Sequence, residues 1–386
     1  MNTSLPDASA TPLNAKPHYA ILDGLRGVAA LTVVAFHLCE AHATSHFDQL
    51  INHGYLAVDF FFLLSGYVIG YAYDDRWTRM TPGAFFKVRL IRLQPLVVLG
   101  MLIGAALFYF QTGPLWPGIG QTPVWLVLLV MAINATTLPV PLSLDVRGWH
   151  EMHPLDGPAW SLFYEYIGNI LYALGVRKFS NAALAGLVAL AGGGLVHYLL
   201  TSKGGDIVGG WSLEPEQLRV GFTRMLFPFF AGLLLRRLTR PGHISNAFGW
   251  CSLLLLAVLA WPRVGGPESL WLNGLYESAS IILLFPLIVW LGASGQVKGV
   301  GSARVCRFLG GISYPLYITH YPLIYTYTAW VARHKVTLSQ GLPMMVLTFG
   351  ASVLLAYLSL KFYDEPVRRW LRQRFLSPAS QPAQTP

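Results

Sequence analysis

Arg26 and His37 stand eleven positions apart in an otherwise apolar run. At 100° and 1.5 Å per residue, a helix would place them about 20° apart in azimuth and about 16 Å apart along its axis. Ionisable side chains within a membrane-embedded helix are costly and usually face a cavity or a pathway rather than lipid. Histidine titrates near neutrality, so His37 is a candidate general base, taking the proton of a hydroxyl as that hydroxyl attacks a thioester carbonyl. It could equally act as a nucleophile that carries the acyl group itself. Arg26, permanently charged and forked, suits a donor phosphate or a developing oxyanion. Snorkelling or interhelical hydrogen bonding is the bland alternative for both.

Four further constellations carry polar groups into apolar surroundings. Asp59 sits in an aromatic run that continues to Ser65 and Gly66. Its carboxylate could orient a histidine as in a triad or hydrogen-bond a neighbouring helix. Ser65 lacks the G-x-S-x-G surroundings of a nucleophile elbow and reads as a close-packing residue. Arg89 and Arg92, at i and i+3, share a helix face that suits a phosphate-bearing donor, though charge anchoring at a membrane edge also explains their sign. In Trp160-Ser161-Leu162-Phe163-Tyr164-Glu165, the carboxylate is expensive in lipid and could raise the basicity of His37 or hold an acceptor. Trp160 offers a stacking face or an interfacial anchor. Finally, Tyr314 and His320 lie in a late apolar run, where a lone histidine is more often satisfied by a neighbouring helix than used in chemistry.

Other chemistries lack a footing. His42, His46 and His53 follow His37 without the spacing of a metal motif, so no metal is expected. No phosphate-binding loop, dinucleotide fingerprint or kinase signature is present. Cys39, Cys251 and Cys306 are odd in number and widely spaced, which encodes neither a disulfide framework nor a zinc site. The net charge of +9 is not gathered into a basic stripe, so nucleic acid is not an expected partner.

These residues need elements to hold them, and the composition says what kind. Of 386 residues 54% are hydrophobic and 12% charged, with mean hydropathy +0.49, against about 25% charged residues in a soluble domain. The expected architecture is an all-α, polytopic membrane bundle. A helix needs ~20 apolar residues to span a bilayer, and eleven candidate runs begin near residues 19, 55, 93, 122, 158, 180, 222, 245, 275, 308 and 342. The run near 122 is short and bounded by Pro123, Pro139 and Pro141, so it is expected to dip into the bilayer without crossing. Ten crossings then leave both termini cytoplasmic. That arrangement puts nineteen Lys and Arg residues inside, in clusters such as Arg76 to Arg92 and Arg368 to Arg374, and six outside, as the positive-inside rule requires.

The expected divisions are a disordered cytoplasmic segment 1–17, a membrane domain 18–366, and a tail 367–386 that is basic and then disordered. No A-x-A-like cleavage site follows residues 1–17, so the first apolar run is expected to persist in the mature protein. No internal repeat is visible.

The ordered set of Arg26 with His37, the Gly54 to Gly66 segment, Arg89 with Arg92 and Pro95, Trp160-Ser161-Leu162 with Glu165, and Ser313-Tyr314 with His320 resembles the integral membrane acyltransferase-3 family. The resemblance covers nearly the whole chain. It implies transfer of an acyl group, most commonly acetyl, to a hydroxyl of a carbohydrate-like or lipid-linked glycan acceptor at the bacterial cytoplasmic (inner) membrane. Acetyl-CoA would then be a donor substrate, not a permanently bound cofactor. Its phosphates would lie near Arg26, Arg89 or Arg92 and its acyl end at His37, with the acceptor approaching from outside. Some similar proteins carry an added hydrolase-like domain that acts on the acceptor; the chain ends soon after its last apolar run, which leaves the acceptor's route open. The rival expectation is a transporter or flippase of an envelope glycan precursor, whose marks would be repeat symmetry and matched broken helices. A sensor or assembly subunit would not need His37 for turnover.

Overall fold

The computed structural model of the protein describes residues 19–240, 242–297 and 299–376. The segments expected to be disordered, 1–17 and the end of the tail from 377, lie outside the described residues, as do Lys16 and Lys298 of the charge count.

Among the described residues there are fourteen α-helices and no β-strand. In chain order they are α1 Ala20–Glu40, α2 Ala57–Tyr73, α3 Pro82–Leu107, α4 Val124–Asn134, α5 Ala159–Leu174, α6 Asn181–Thr201, α7 Pro215–Leu238, α8 Ala247–Ala260, α9 Leu270–Ala279, α10 Phe285–Ala293, α11 Val300–Thr319, α12 Tyr321–His334, α13 Leu338–Leu358 and α14 Glu365–Phe375. Seven helical stretches among the described residues are long and apolar enough to cross a membrane: Ala20–Glu40, Gly54–Tyr73, Pro82–Gln111, Asn181–Thr201, Pro215–Leu238, Leu270–Ala293 and Leu338–Phe375. The chain is thus an all-helical, multi-pass membrane protein. Large apolar side chains such as Leu190, 79% exposed, and Val346, 64% exposed, point outward, where lipid rather than water would meet them. The 11 residues of α4 extend about 16 Å, well short of the ~30 Å hydrocarbon core.

Three of the eleven apolar runs are broken, which their hydropathy did not announce. The run near 275 is α9 and α10 joined by a π-turn at Ser280–Leu284, and the run near 342 is α13 and α14 joined by another at Ser359–Asp364. Each π-turn precedes a proline, Pro286 or Pro366. Proline donates no N–H and its ring crowds the carbonyl four residues back, so the preceding turn widens. The run near 308 breaks at His320, between α11 and α12 and two residues before Pro322, for the same reason.

Caps fix where the helices begin. The Thr81 hydroxyl accepts from the Ala84 N–H at 3.2 Å with Pro82 at the first position of α3, Ser180 caps α6 in the same way, and Thr337 with Gln340 forms a capping box on α13. Between apolar helices in lipid there is little hydrophobic force, so contact depends on backbones approaching closely. Glycine permits this between α2 and α7. A Cβ at Gly66 of α2 would strike the Phe229 carbonyl of α7, and one at Gly232 of α7 would strike the Leu63 carbonyl of α2. The same arrangement joins α1 to α11 through Gly27 and Gly310. Helix α1, which carries Arg26 and His37, is therefore clamped at the centre of the bundle.

Candidate functional site

Most of the residues singled out in the sequence gather around two cavities. The first, of about 280 Å³, lies between α1, α2, α3, α5, α11 and the start of α14, and is lined by Arg26, Ser65, Arg89, Arg92, Glu165, Ser313, Tyr314, Asp364 and Arg368. Arg26 is held from two helices: its Nη2 meets Asp23 at 2.9 Å and its Nε donates to the Ser313 hydroxyl at 2.8 Å. Glu165 accepts from Arg89 Nη2 at 2.5 Å and from the Ser65 hydroxyl at 2.7 Å. Arg368 pairs with Asp364 at 3.1 Å, and the Tyr314 hydroxyl donates to the Leu93 carbonyl at 2.7 Å. No ion pair among the described residues involves Arg92, the cavity arginine left open to an anionic ligand.

The second cavity, of about 650 Å³, is walled by Trp116, Trp149, Trp160, Trp211, Tyr321 and Tyr325, and holds His37, Glu40 and Glu151. His37 is in the last turn of α1, where its Nδ1 lies 2.7 Å from Glu40 Oε2. With Nδ1–H donated to that carboxylate, the lone pair is left on Nε2, the tautomer a general base needs. Tyr321 meets the imidazole edge-on with centroids 4.8 Å apart, and the His320 ring lies 5.9 Å away. Fully buried, His320 uses its Nδ1–H on the Leu316 and Tyr317 carbonyls at 2.9 and 3.0 Å, while its Nε2 has no partner among the described residues.

The loop between α4 and α5 supplies the far wall. Burial pushes the Glu151 carboxyl up to about 7, although the Arg147 guanidinium and a hydrogen bond from Tyr325 pull it down. Burial and the neighbouring Glu151 push Asp156 well above the carboxylate range. Arg147 lies over the Tyr325 ring at 3.4 Å, which fixes one aromatic face of the cavity.

Several placements differ from the expectations. Glu165 faces Arg89 and Ser65 in the first cavity rather than His37 in the second, because it lies more than a full turn beyond Trp160 on α5 and so at the other cavity's level. Asp59 orients no histidine. It is fully buried and bound by Arg224 of α7 at 2.8 Å, and Arg224 also donates to the Tyr55 and Gly209 carbonyls at 2.7 and 3.1 Å. The carboxylate thus ties the start of α2 to α7. Ser65 contributes a hydrogen bond as well as small size. The histidines after His37 disperse: His42 bonds Tyr327 at 2.6 Å, and His53 bonds the Trp261 carbonyl at 2.8 Å.

Sequence reasoning assigned no site role to Glu40, Asp364, Arg368 or the tryptophans other than Trp160. Glu40 was within reach, since it lies three residues after His37 and i,i+3 residues share a helix face. The others come from distant loops and helices that no local spacing connects.

Residues 19–360 match the family described as "Acyltransferase domain", the acyltransferase-3 family. Among curated proteins, the chain is 36% identical over 169 residues to "Protein 2 in picA locus" of Rhizobium radiobacter, covering 40% of the chain and 81% of that protein. It is 24% identical over 377 residues to a Staphylococcus aureus strain COL protein whose name provisionally describes an O-acetyltransferase. It is 22% identical over 364 residues to the O-acetyltransferase OatA of Staphylococcus aureus strain NCTC 8325. Each of these two matches covers 90% of the chain but 57% of the relative, so the chain spans little more than half the length of the staphylococcal proteins. No solved structure matches it. With the family match running through both cavities and every helix that lines them as far as residue 360, the chain belongs to the acyltransferase-3 family of membrane O-acyltransferases.

Proposed function

We propose that the chain transfers an acetyl group from acetyl-CoA to a hydroxyl of a carbohydrate or lipid-linked glycan at the bacterial cytoplasmic (inner) membrane, with His37 as general base. The observation that carries this is the pairing of two unlike cavities along one helix. The Arg26 end of α1 faces a cavity of arginines, whereas the His37 end faces one walled by tryptophan and tyrosine. A phosphate-bearing donor matches the first and a sugar ring stacked on indole matches the second.

In this mechanism Arg92, with Arg26 and Arg89 beside it, receives the donor's phosphates. The acceptor hydroxyl is placed against His37 Nε2. Its oxygen attacks the thioester carbonyl, His37 takes the proton, and Glu40 steadies the imidazolium. The carbon–sulfur bond then breaks, and the proton held by His37 passes to the departing thiolate, so the products are the O-acyl ester and the free CoA thiol. Ten crossings with both termini cytoplasmic place the arginine cavity on the side where CoA is made and the aromatic cavity toward the envelope, an arrangement favoured by the distribution of Lys and Arg.

The direct test is incubation of membranes containing the full chain with acetyl-labelled acetyl-CoA. Base-labile label in glycan, accompanied by an equal amount of CoA thiol, is the expected result. Glycan that crosses the membrane without gaining label would support a carrier and sink the enzyme.

A further inference from the structure

Among the described residues, only two line both cavities, Val58 of α2 and Tyr317 of α11. Both are buried, and together they form a partition one side chain thick. Arg26, Arg92 and Glu165 lie on one side of it and His37 and Glu40 on the other, so a donor held by the arginines cannot present its thioester to His37 while this partition is closed.

The two halves of the partition differ in how readily they could move. Val58 is β-branched and stiff about its first torsion. Tyr317 has a long lever held at its tip by the Ser161 hydroxyl and, at 3.4 Å, by the Pro158 carbonyl. Its Oη lies 2.7 Å from Ser161 Oγ, and Ser161 Oγ lies 3.0 Å from the Pro158 carbonyl. Tyr317 can therefore donate to Ser161 while Ser161 donates to Pro158. Phe61 braces the ring edge-on with centroids 5.3 Å apart. Two residues earlier, Pro315 lies inside α11, where it removes a backbone hydrogen bond and loosens the turn that bears the tyrosine.

The geometry points to Tyr317 as a gate between the donor and acceptor cavities, latched by Ser161, that opens to let the thioester reach His37 and otherwise keeps water in the acceptor cavity from it. This rests on the acyl-transfer reaction proposed above. The benefit of such a gate is selectivity between acceptors, because a thioester beside a base and bulk water is hydrolysed. Residues that merely support the fold have no reason to alter the ratio of hydrolysis to transfer.

The experiment uses the full chain in lipid nanodiscs with labelled acetyl-CoA. CoA release without acceptor measures hydrolysis, and label in an added lipid-linked glycan extract measures transfer. Tyr317→Ala should raise the ratio of hydrolysis to transfer by about tenfold, as expected for a site no longer closed to water. Tyr317→Phe keeps the ring and the packing but loses the latch, and Ser161→Ala loses its shorter hydrogen bond while the Pro158 carbonyl still accepts from Tyr317. Tyr317→Phe should raise the ratio by a few-fold, Ser161→Ala by less, and their combination no further than Tyr317→Phe. Val58→Trp, which thickens the partition, should lower the transfer rate at saturating acetyl-CoA. An unchanged ratio in both Tyr317→Phe and Ser161→Ala, with transfer intact in the native chain, overturns the gate alone. Absence of transfer by the native chain overturns the acyl-transfer reaction and the gate with it.

Discussion

His37 and Glu40 lie one turn apart at the end of α1, with imidazole Nδ1 2.7 Å from carboxylate Oε2. The contact fixes which ring nitrogen keeps its lone pair and turns that nitrogen away from Glu40, in the cavity walled by the tryptophans. A membrane histidine is thereby given the orienting group that a general base requires, from a residue three positions along its own helix.

Because the Glu40 side chain is 45% exposed, solvent screens its charge and its worth lies mainly in orientation. Glu40→Gln keeps a hydrogen-bond acceptor and is expected to lower kcat by about tenfold. Glu40→Ala, with none, should lower it by about 100-fold, within the range for a positioned base. Steady-state assays at matched protein level check this, and neither change should move the KM for the donor.

The arginines of the first cavity should separate into ligand-binding and structural roles. Arg92, in no ion pair among the described residues, is expected to raise the KM for acetyl-CoA by roughly tenfold or more when changed to Gln, the worth of one charged hydrogen bond. Arg89→Gln removes the partner of a carboxylate only 18% exposed and should lower thermal stability in detergent as well. Equal effects of the two changes on KM, with no difference in stability, would count against this division.

Asp59 and Arg224 are 0% and 2% exposed, so Arg224→Met alone strands a buried carboxylate at a cost of about 3–5 kcal/mol. The double change Asp59→Leu with Arg224→Met is expected to recover most of that stability, because neither charge is then left unpaired. Thermal unfolding of the native chain, the two single variants and the double variant measures the coupling.

Stability should also respond to pH at Glu151. Its folded-state value of about 7 lies above the ordinary glutamate value of 4.5. The unfolded chain therefore releases this proton more readily than the folded one, and folding loses stability as pH rises from 4.5 to 7. Below that window the group contributes nothing, and above it the penalty is constant. Glu151→Gln should unfold at a temperature close to that of the native chain at pH 4.5, with a difference growing in the variant's favour up to pH 8. A difference independent of pH would remove burial as the cause.

Much of this arrangement is legible in the residues. Hydropathy located the apolar runs within a few residues of most of their helices because a bilayer demands length and apolarity together. The cost of charge in lipid singled out Arg26, His37, Arg89, Arg92 and Glu165. What local spacing does not encode is which helix faces which. Glu165 is as expensive beside Arg89 as beside His37, and only packing decides between them. The same holds for Asp59, whose partner Arg224 lies 165 positions away, and for Tyr317, whose place in the partition depends on Ser161 and Phe61 from two other helices. The breaks before Pro286, Pro322 and Pro366 were present as residues but lay inside runs that still read as continuous by hydropathy.

In the proposed mechanism His37 takes the proton of the acceptor hydroxyl. This is checked by acetyl transfer from labelled acetyl-CoA to envelope glycan by the native chain and by His37→Ala at matched protein level in the same membranes. Label in the native sample, with a fall of about 100-fold or more in the variant, is the predicted result. Equal label in the two would contradict it and remove His37 from the reaction.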